Sequence, residues 1–135
     1  MSTTTRTSHR SRSLELAAWA LVIFQVIHGL TPADTESEGY FGAIVGLILL
    51  ISACTAVYGI RARRPWAPKL TAWTGLAVGV GFIAYHASPV RSPITNPYPG
   101  EPVGAAAWIS VALAVAAGFW AAYEGFTGAP STRES

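Results

Sequence analysis

Two histidines, His28 and His86, are the residues of this sequence whose type and position best suit chemistry. Each lies one or two residues before the end of a long apolar stretch, 14–30 for His28 and 70–87 for His86. If both stretches are helices that cross a membrane in the same direction, the two imidazoles lie at similar depth. Neutral imidazole binds zinc and copper, and histidines are common axial ligands of haem. The pair therefore predicts a metal or haem site at the outer ends of the first and third helices.

Carboxylates in the two loops that follow these stretches extend the candidate ligand set. Carboxylate oxygen and imidazole nitrogen together are ordinary ligands of zinc, and imidazole also suits copper. The full set of candidate metal ligands is His28, His86, Asp34, Glu36, Glu38 and Glu101. The competing interpretation is that both histidines are separate interfacial residues whose polar tips reach the lipid headgroups and bind no ligand.

Helical periodicity places His86 on a face that suits helix packing. Gly79 and Gly75 precede it by two and three helical turns, so all three residues share one side of the third helix. On the first helix, Gln25 lies one turn before His28 and is a possible polar neighbour of its ring.

The composition indicates an integral membrane protein. Hydrophobic residues make up 51% of the chain and charged residues 12%, whereas charged residues are roughly 25% of a typical soluble domain. Four stretches are apolar enough and near the ~20 residues that a membrane helix needs. Their limits are 14–30, 40–60, 70–87 and 103–123. The continuous apolar runs favour helices over barrel strands, which alternate apolar and polar residues.

We therefore expect an all-α, four-transmembrane-helix bundle with up-down-up-down topology in a domain of residues 14–127. The polar segments 1–13 and 128–135 are expected to be disordered cytoplasmic tails, because they contain too few apolar residues to offset the entropy of ordering.

The distribution of basic residues predicts the orientation. Eight of the nine Lys and Arg residues lie in the two tails and the second loop, and only Arg91 lies in another loop. By the positive-inside rule, both termini and the second loop are cytoplasmic. The net charge of +2 is thus a topology signal, and it gives no indication of nucleic-acid binding.

Proline and small residues predict how the helices are capped and packed. The third loop contains Pro89, Pro93, Pro97, Pro99 and Pro102, which favour a stiff segment that caps the outer end of the bundle. Small residues spaced four apart occur at Gly42 and Gly46, at Gly75 and Gly79, and at Ala117, Ala121 and Gly125. Such spacing lets membrane helices approach closely, within one chain or between copies.

Three classes of function follow from these features. A non-enzymatic structural or accessory component of a membrane complex or homo-oligomer is favoured, because the sequence contains no recognisable catalytic motif. A metal- or haem-binding redox protein is the alternative, with zinc, copper or haem at His28 and His86. A small transporter is disfavoured, because no ionisable residue lies near the middle of a predicted span. The Arg-rich, Lys-poor composition is typical of a bacterial chain, and the expected location is the cell membrane.

Overall fold

The computed structural model describes residues 4–32, 40–92 and 94–128, with side chains from residue 12 onward. This described part is all-helical and contains no strands, which confirms the predicted class of secondary structure. Its elements in chain order are α1 (Thr4–Leu30), α2 (Tyr40–Arg61), α3 (Ala67–His86) and α4 (Ala105–Gly128).

The main correction concerns the amino-terminal segment. Residues 1–13 are expected to be disordered, but α1 begins at Thr4 and runs through this polar segment without a break. Once the apolar part of a helix has formed, each added residue gains one hydrogen bond without a new nucleation cost. Residues 1–3 and 129–135 lie outside the described residues, so the prediction for the ends of the chain stays a prediction.

The short connection between α2 and α3 follows from its prolines. Arg63 adopts a positive φ of 52°, and α3 begins at Ala67 with Pro68 in its first turn. Proline is tolerated there because the first N–H groups of a helix have no partner within the helix. α2 and α3 are therefore adjacent helices that pack against each other.

Three of the helices are long and apolar enough to cross a membrane. They are Arg12–Leu30 within α1, the whole of α2 and the whole of α4. The 20-residue α3 falls short of the same standard of hydropathy, since it includes polar or small residues such as Thr71, Thr74 and Gly75. All three of these residues are buried against other helices.

Backbone contact between α3 and α4 is the closest packing in the bundle. A Cβ atom added at Gly75 would lie 2.5 Å from the carbonyl oxygen of Gly118, and one at Gly125 would lie 2.5 Å from the carbonyl oxygen of Pro68. A Cβ at Gly79 would instead meet the ring of Phe119 at 3.1 Å. Of the small residues predicted to bring helices together, Gly75, Gly79 and Gly125 do so within this chain, whereas a Cβ atom at Gly46 would meet nothing within 4 Å.

All four helices contribute to a common core. Its fully buried members are Ala17, Leu21, Ala53, Val78 and Ala121. The carboxyl ends of α1 and α3 lie beside the amino ends of α2 and α4, where His28 contacts Ser110. We call this the histidine end. At the opposite end, the Ser13 hydroxyl donates to Glu124 over 2.8 Å, and Arg61 lies 3.4 Å from Glu15.

Candidate functional site

The structure brings His28 and His86 into direct contact. Their ring centroids are 4.9 Å apart and the ring planes are inclined by 70°. Helix α1 positions His28 near its last turn, and α3 ends at His86. The two residues therefore lie at the same end of the bundle, while their depth in a membrane and ligand binding by them stay predictions.

A backbone carbonyl fixes the ring of His86. Its Nδ1 lies 3.1 Å from the carbonyl oxygen of Asn96. Because a carbonyl oxygen only accepts, Nδ1 must carry the proton of the neutral imidazole, and Nε2 is left with its lone pair. The rings of Phe82, Tyr85 and Tyr98 surround His86, whose exposed fraction is only 5%. His86 is therefore held in a single orientation.

A serine on α4 fixes the ring of His28 in the same sense. The Nδ1 of His28 lies 3.0 Å from the Oγ of Ser110, and that hydroxyl donates to the carbonyl oxygen of Ala107 over 2.7 Å. A hydroxyl has one proton, which Ser110 already uses, so Ser110 must accept from His28. The Nε2 of His28 is therefore also left with a lone pair.

The third loop caps the histidine end, as its prolines predict. The N–H of Asn96 donates to the carbonyl oxygen of Tyr85 over 3.0 Å, and that of Tyr98 donates to the carbonyl oxygen of His86 over 2.9 Å. The side chain of Tyr98 packs against Ala107 and is only 2% exposed. Burial, and secondarily the phenol of Tyr85, raise the pKa of Tyr98 above its usual range. The phenol of Tyr98 is therefore uncharged at physiological pH, and its ring forms one side of the site.

A cleft of about 1090 Å³ opens between α1, α2, α3 and the third loop, and both histidines line it. The first half of α2 lines the cleft and contains none of the four buried residues of this helix, which all lie in its second half: Ala53, Ala56, Val57 and Gly59. The first half contributes small and apolar lining such as Ala43, Gly46 and Leu47. The polar groups of the cleft are thus concentrated near the histidine end, opposite an apolar wall.

Gln25 adds an unpaired acceptor to the same cleft. Its side chain is 7% exposed, and its Nε2 donates to the carbonyl oxygen of Leu21 over 3.1 Å. Its Oε1 is buried and has no hydrogen-bond partner among the described residues. Gln25 lines the cleft one turn before His28. It does not orient the imidazole of His28, whose Nδ1 contacts Ser110 instead.

Of the four predicted carboxylates, the structure describes only Glu101. Asp34, Glu36 and Glu38 lie outside the described residues. Glu101 forms an ion pair with Arg91 and does not line the cleft. In the described part of the chain, no group of three or more His, Cys, Asp or Glu residues is arranged to hold a metal ion. The charge of Glu101 is thus paired within the loop, and its role as a metal ligand stays a prediction.

Sequence reasoning missed the two groups that orient the histidines. Ser110 stands alone as a hydroxyl residue in the first half of α4, which is a weak signal for a specific contact. Nothing in the sequence indicates the role of the Asn96 carbonyl oxygen. Every residue has a backbone carbonyl group, and only the loop conformation places this one beside His86.

No family model, no curated protein and no solved structure matches this chain. Its function therefore has to be argued from the geometry of the site.

Proposed function

We propose that this chain is a four-span, up-down-up-down membrane protein that binds a small ligand at its histidine end and is not an enzyme. The arrangement of helix ends supports the topology, and the eight basic residues support cytoplasmic termini. Large apolar side chains exposed on the outer faces support contact with lipid; examples are Leu16, Ile44, Ile51, Ile109 and Phe119. In this orientation, the cleft opens in the outer half of the bilayer.

The observation that carries the binding proposal is a set of three lone-pair acceptors in one cleft. They are the Nε2 atoms of His28 and His86 and the Oε1 atom of Gln25. A polar group that is withdrawn from water and left unpaired costs roughly 1–3 kcal/mol. The Oε1 atom of Gln25 is buried in this way. Together with the two imidazoles that line the same cleft, it favours a ligand that supplies either hydrogen-bond donors or a positive charge.

Native mass spectrometry of protein extracted from membranes in mild detergent tests this proposal. We expect the wild type to carry a non-protein mass, either an ion or a small molecule, that is lost in His28→Phe and in His86→Phe. Phenylalanine keeps a ring in the aromatic cluster but has no nitrogen, so the variants remove the acceptors and retain packing.

The matched control is His9→Phe, since His9 is the remaining histidine of the chain and lies on α1 about five helical turns before His28. This variant should carry the same added mass as the wild type. Equal occupancy in the wild type and in both cleft variants would show that the ligand is bound elsewhere, and the proposal would fall.

A second candidate function is an accessory or self-associating membrane component. The observation that favours it is the first half of α2, in which no residue is buried in the described chain and large apolar side chains are exposed. These are Tyr40, Phe41, Ile44, Leu47 and Ile48. A helix of a second copy, or of a larger complex, would cover this surface. The oligomeric state in the membrane tests this candidate.

A further inference from the structure

We propose that the ligand is a single transition-metal ion of the zinc or divalent copper class, bound by the Nε2 atoms of His28 and His86 with the amide oxygen of Gln25 as a third donor. This inference rests on the proposed function, since it identifies the ligand of the same cleft. The described residues supply no thiolate or carboxylate there, so the donor set is two imidazoles and one amide oxygen. Imidazole is a ligand that suits both zinc and copper.

The hydrogen bonds at Nδ1 are the first support. A histidine that binds a metal through one ring nitrogen almost always donates its other N–H to a carbonyl, a carboxylate or another oxygen. His86 makes this contact with Asn96 and His28 makes it with Ser110. Both rings therefore already hold the tautomer that a metal ligand requires, and the two contacts that fix them come from different elements.

The separation of the rings is the second support. With nitrogen–metal bonds of ~2.0 Å, two imidazoles at a tetrahedral angle on one ion have centroids roughly 5 Å apart, whereas two on opposite sides of it have centroids roughly 6 Å apart. The observed value is 4.9 Å. The spacing thus matches two adjacent ligands of one small ion. It is too short for haem iron sandwiched between the rings.

Gln25 and the cleft supply the remaining coordination. Gln25 lies on α1 one turn before His28 and lines the same cleft, and its Oε1 is buried without a hydrogen-bond partner among the described residues. Three protein ligands and one open position are typical of a zinc site that exchanges its fourth ligand. The cleft leaves that fourth position open to water or to an anion from the outer side.

Titration of tag-free, chelator-treated protein in detergent with Cu²⁺ alone tests the assignment. We expect one ion per chain, displacement by Zn²⁺, and an electron paramagnetic resonance spectrum that shows two imidazole nitrogens. The spectrum is recorded on the wild type, so it does not depend on any variant folding. A spectrum with one nitrogen or none would overturn the two-histidine site.

Variants give the second measurement. His28→Phe and His86→Phe should each weaken Cu²⁺ binding by more than roughly 100-fold, beyond the 10–100-fold that loss of an outer-shell partner costs. Gln25→Leu should weaken it on the order of tenfold, because two imidazoles remain. His9→Phe is the control and should leave the affinity unchanged. Thermal unfolding of each variant shows whether it is folded.

The failures of the two proposals are distinguishable. If the wild type carries an organic mass that a chelator does not remove and no Cu²⁺ binds at the histidines, the metal assignment is wrong and the ligand-binding function stands. If neither an organic mass nor Cu²⁺ depends on His28 and His86, both proposals are wrong.

Discussion

At the scale of single residues, Ser110 holds the imidazole of His28 without being a proposed ligand itself. Ser110→Ala should weaken Cu²⁺ binding by roughly 10–100-fold, because the ring loses the acceptor that selects its tautomer. The stoichiometry of one ion and the two-nitrogen spectrum should persist. Ser52→Ala is the matched control, since the Ser52 hydroxyl only donates to the carbonyl oxygen of Ile48 within α2. A Ser110→Ala protein with unchanged affinity would show that the contact is purely structural.

The residue scale also shows where sequence reasoning ends. The types and the depth of His28 and His86 are readable from the sequence, because both follow from helix ends. The contact between the two rings cannot be predicted from the sequence, since it depends on how closely α1 approaches α3. The role of Ser110 requires the direction of a single hydroxyl proton, which the sequence does not contain.

At the scale of elements, the α3–α4 interface depends on backbone contact. Gly75→Ala should destabilise the folded protein by about 1–3 kcal/mol, because the new methyl group would overlap the backbone at Gly118 and Ala122. Gly81→Ala is the matched control on the same helix. A Cβ atom there meets nothing within 4 Å, so this change should be neutral or stabilising by up to about 1 kcal/mol.

The measurement is the midpoint of thermal unfolding in detergent for the two alanine variants. Equal midpoints would show that the contact at Gly75 contributes little. Substitution at Gly79 should cost less than substitution at Gly75. Gly79 faces the side chain of Phe119, which can move, whereas Gly75 faces backbone, which cannot move without separating the helices.

At the scale of the whole molecule, the single Cys54 reports on self-association. It is exposed on the outer surface of α2, the helix that the second candidate function places at an interface. If two copies meet along α2, oxidation in native membranes should produce a disulfide-linked dimer that Cys54→Ser lacks. Monomer alone after oxidation, in a sample where Cys54 reacts with a small thiol reagent, would count against packing along this face.

The fold as a whole was predictable to the level of four helices, their order and most of their limits. Uninterrupted apolar stretches of the right length carry that information. The helical continuation of α1 through residues 4–13 could not be predicted in this way. Composition describes the segment as if it were isolated, whereas here it is attached to a helix that has already formed. The cleft was also hidden, since apolar residues that face lipid, core and cleft are alike in the sequence.

The cap that the third loop forms has a consequence for where α3 can end. The last carbonyl groups of a helix have no partner within the helix, and each one that is unpaired in hydrocarbon costs several kcal/mol. Here the amides of Asn96 and Tyr98 occupy the carbonyl groups of Tyr85 and His86. α3 spans only 20 residues, or about 30 Å. In the membrane orientation proposed above, these two contacts would lower the desolvation cost of ending this helix below the bilayer surface.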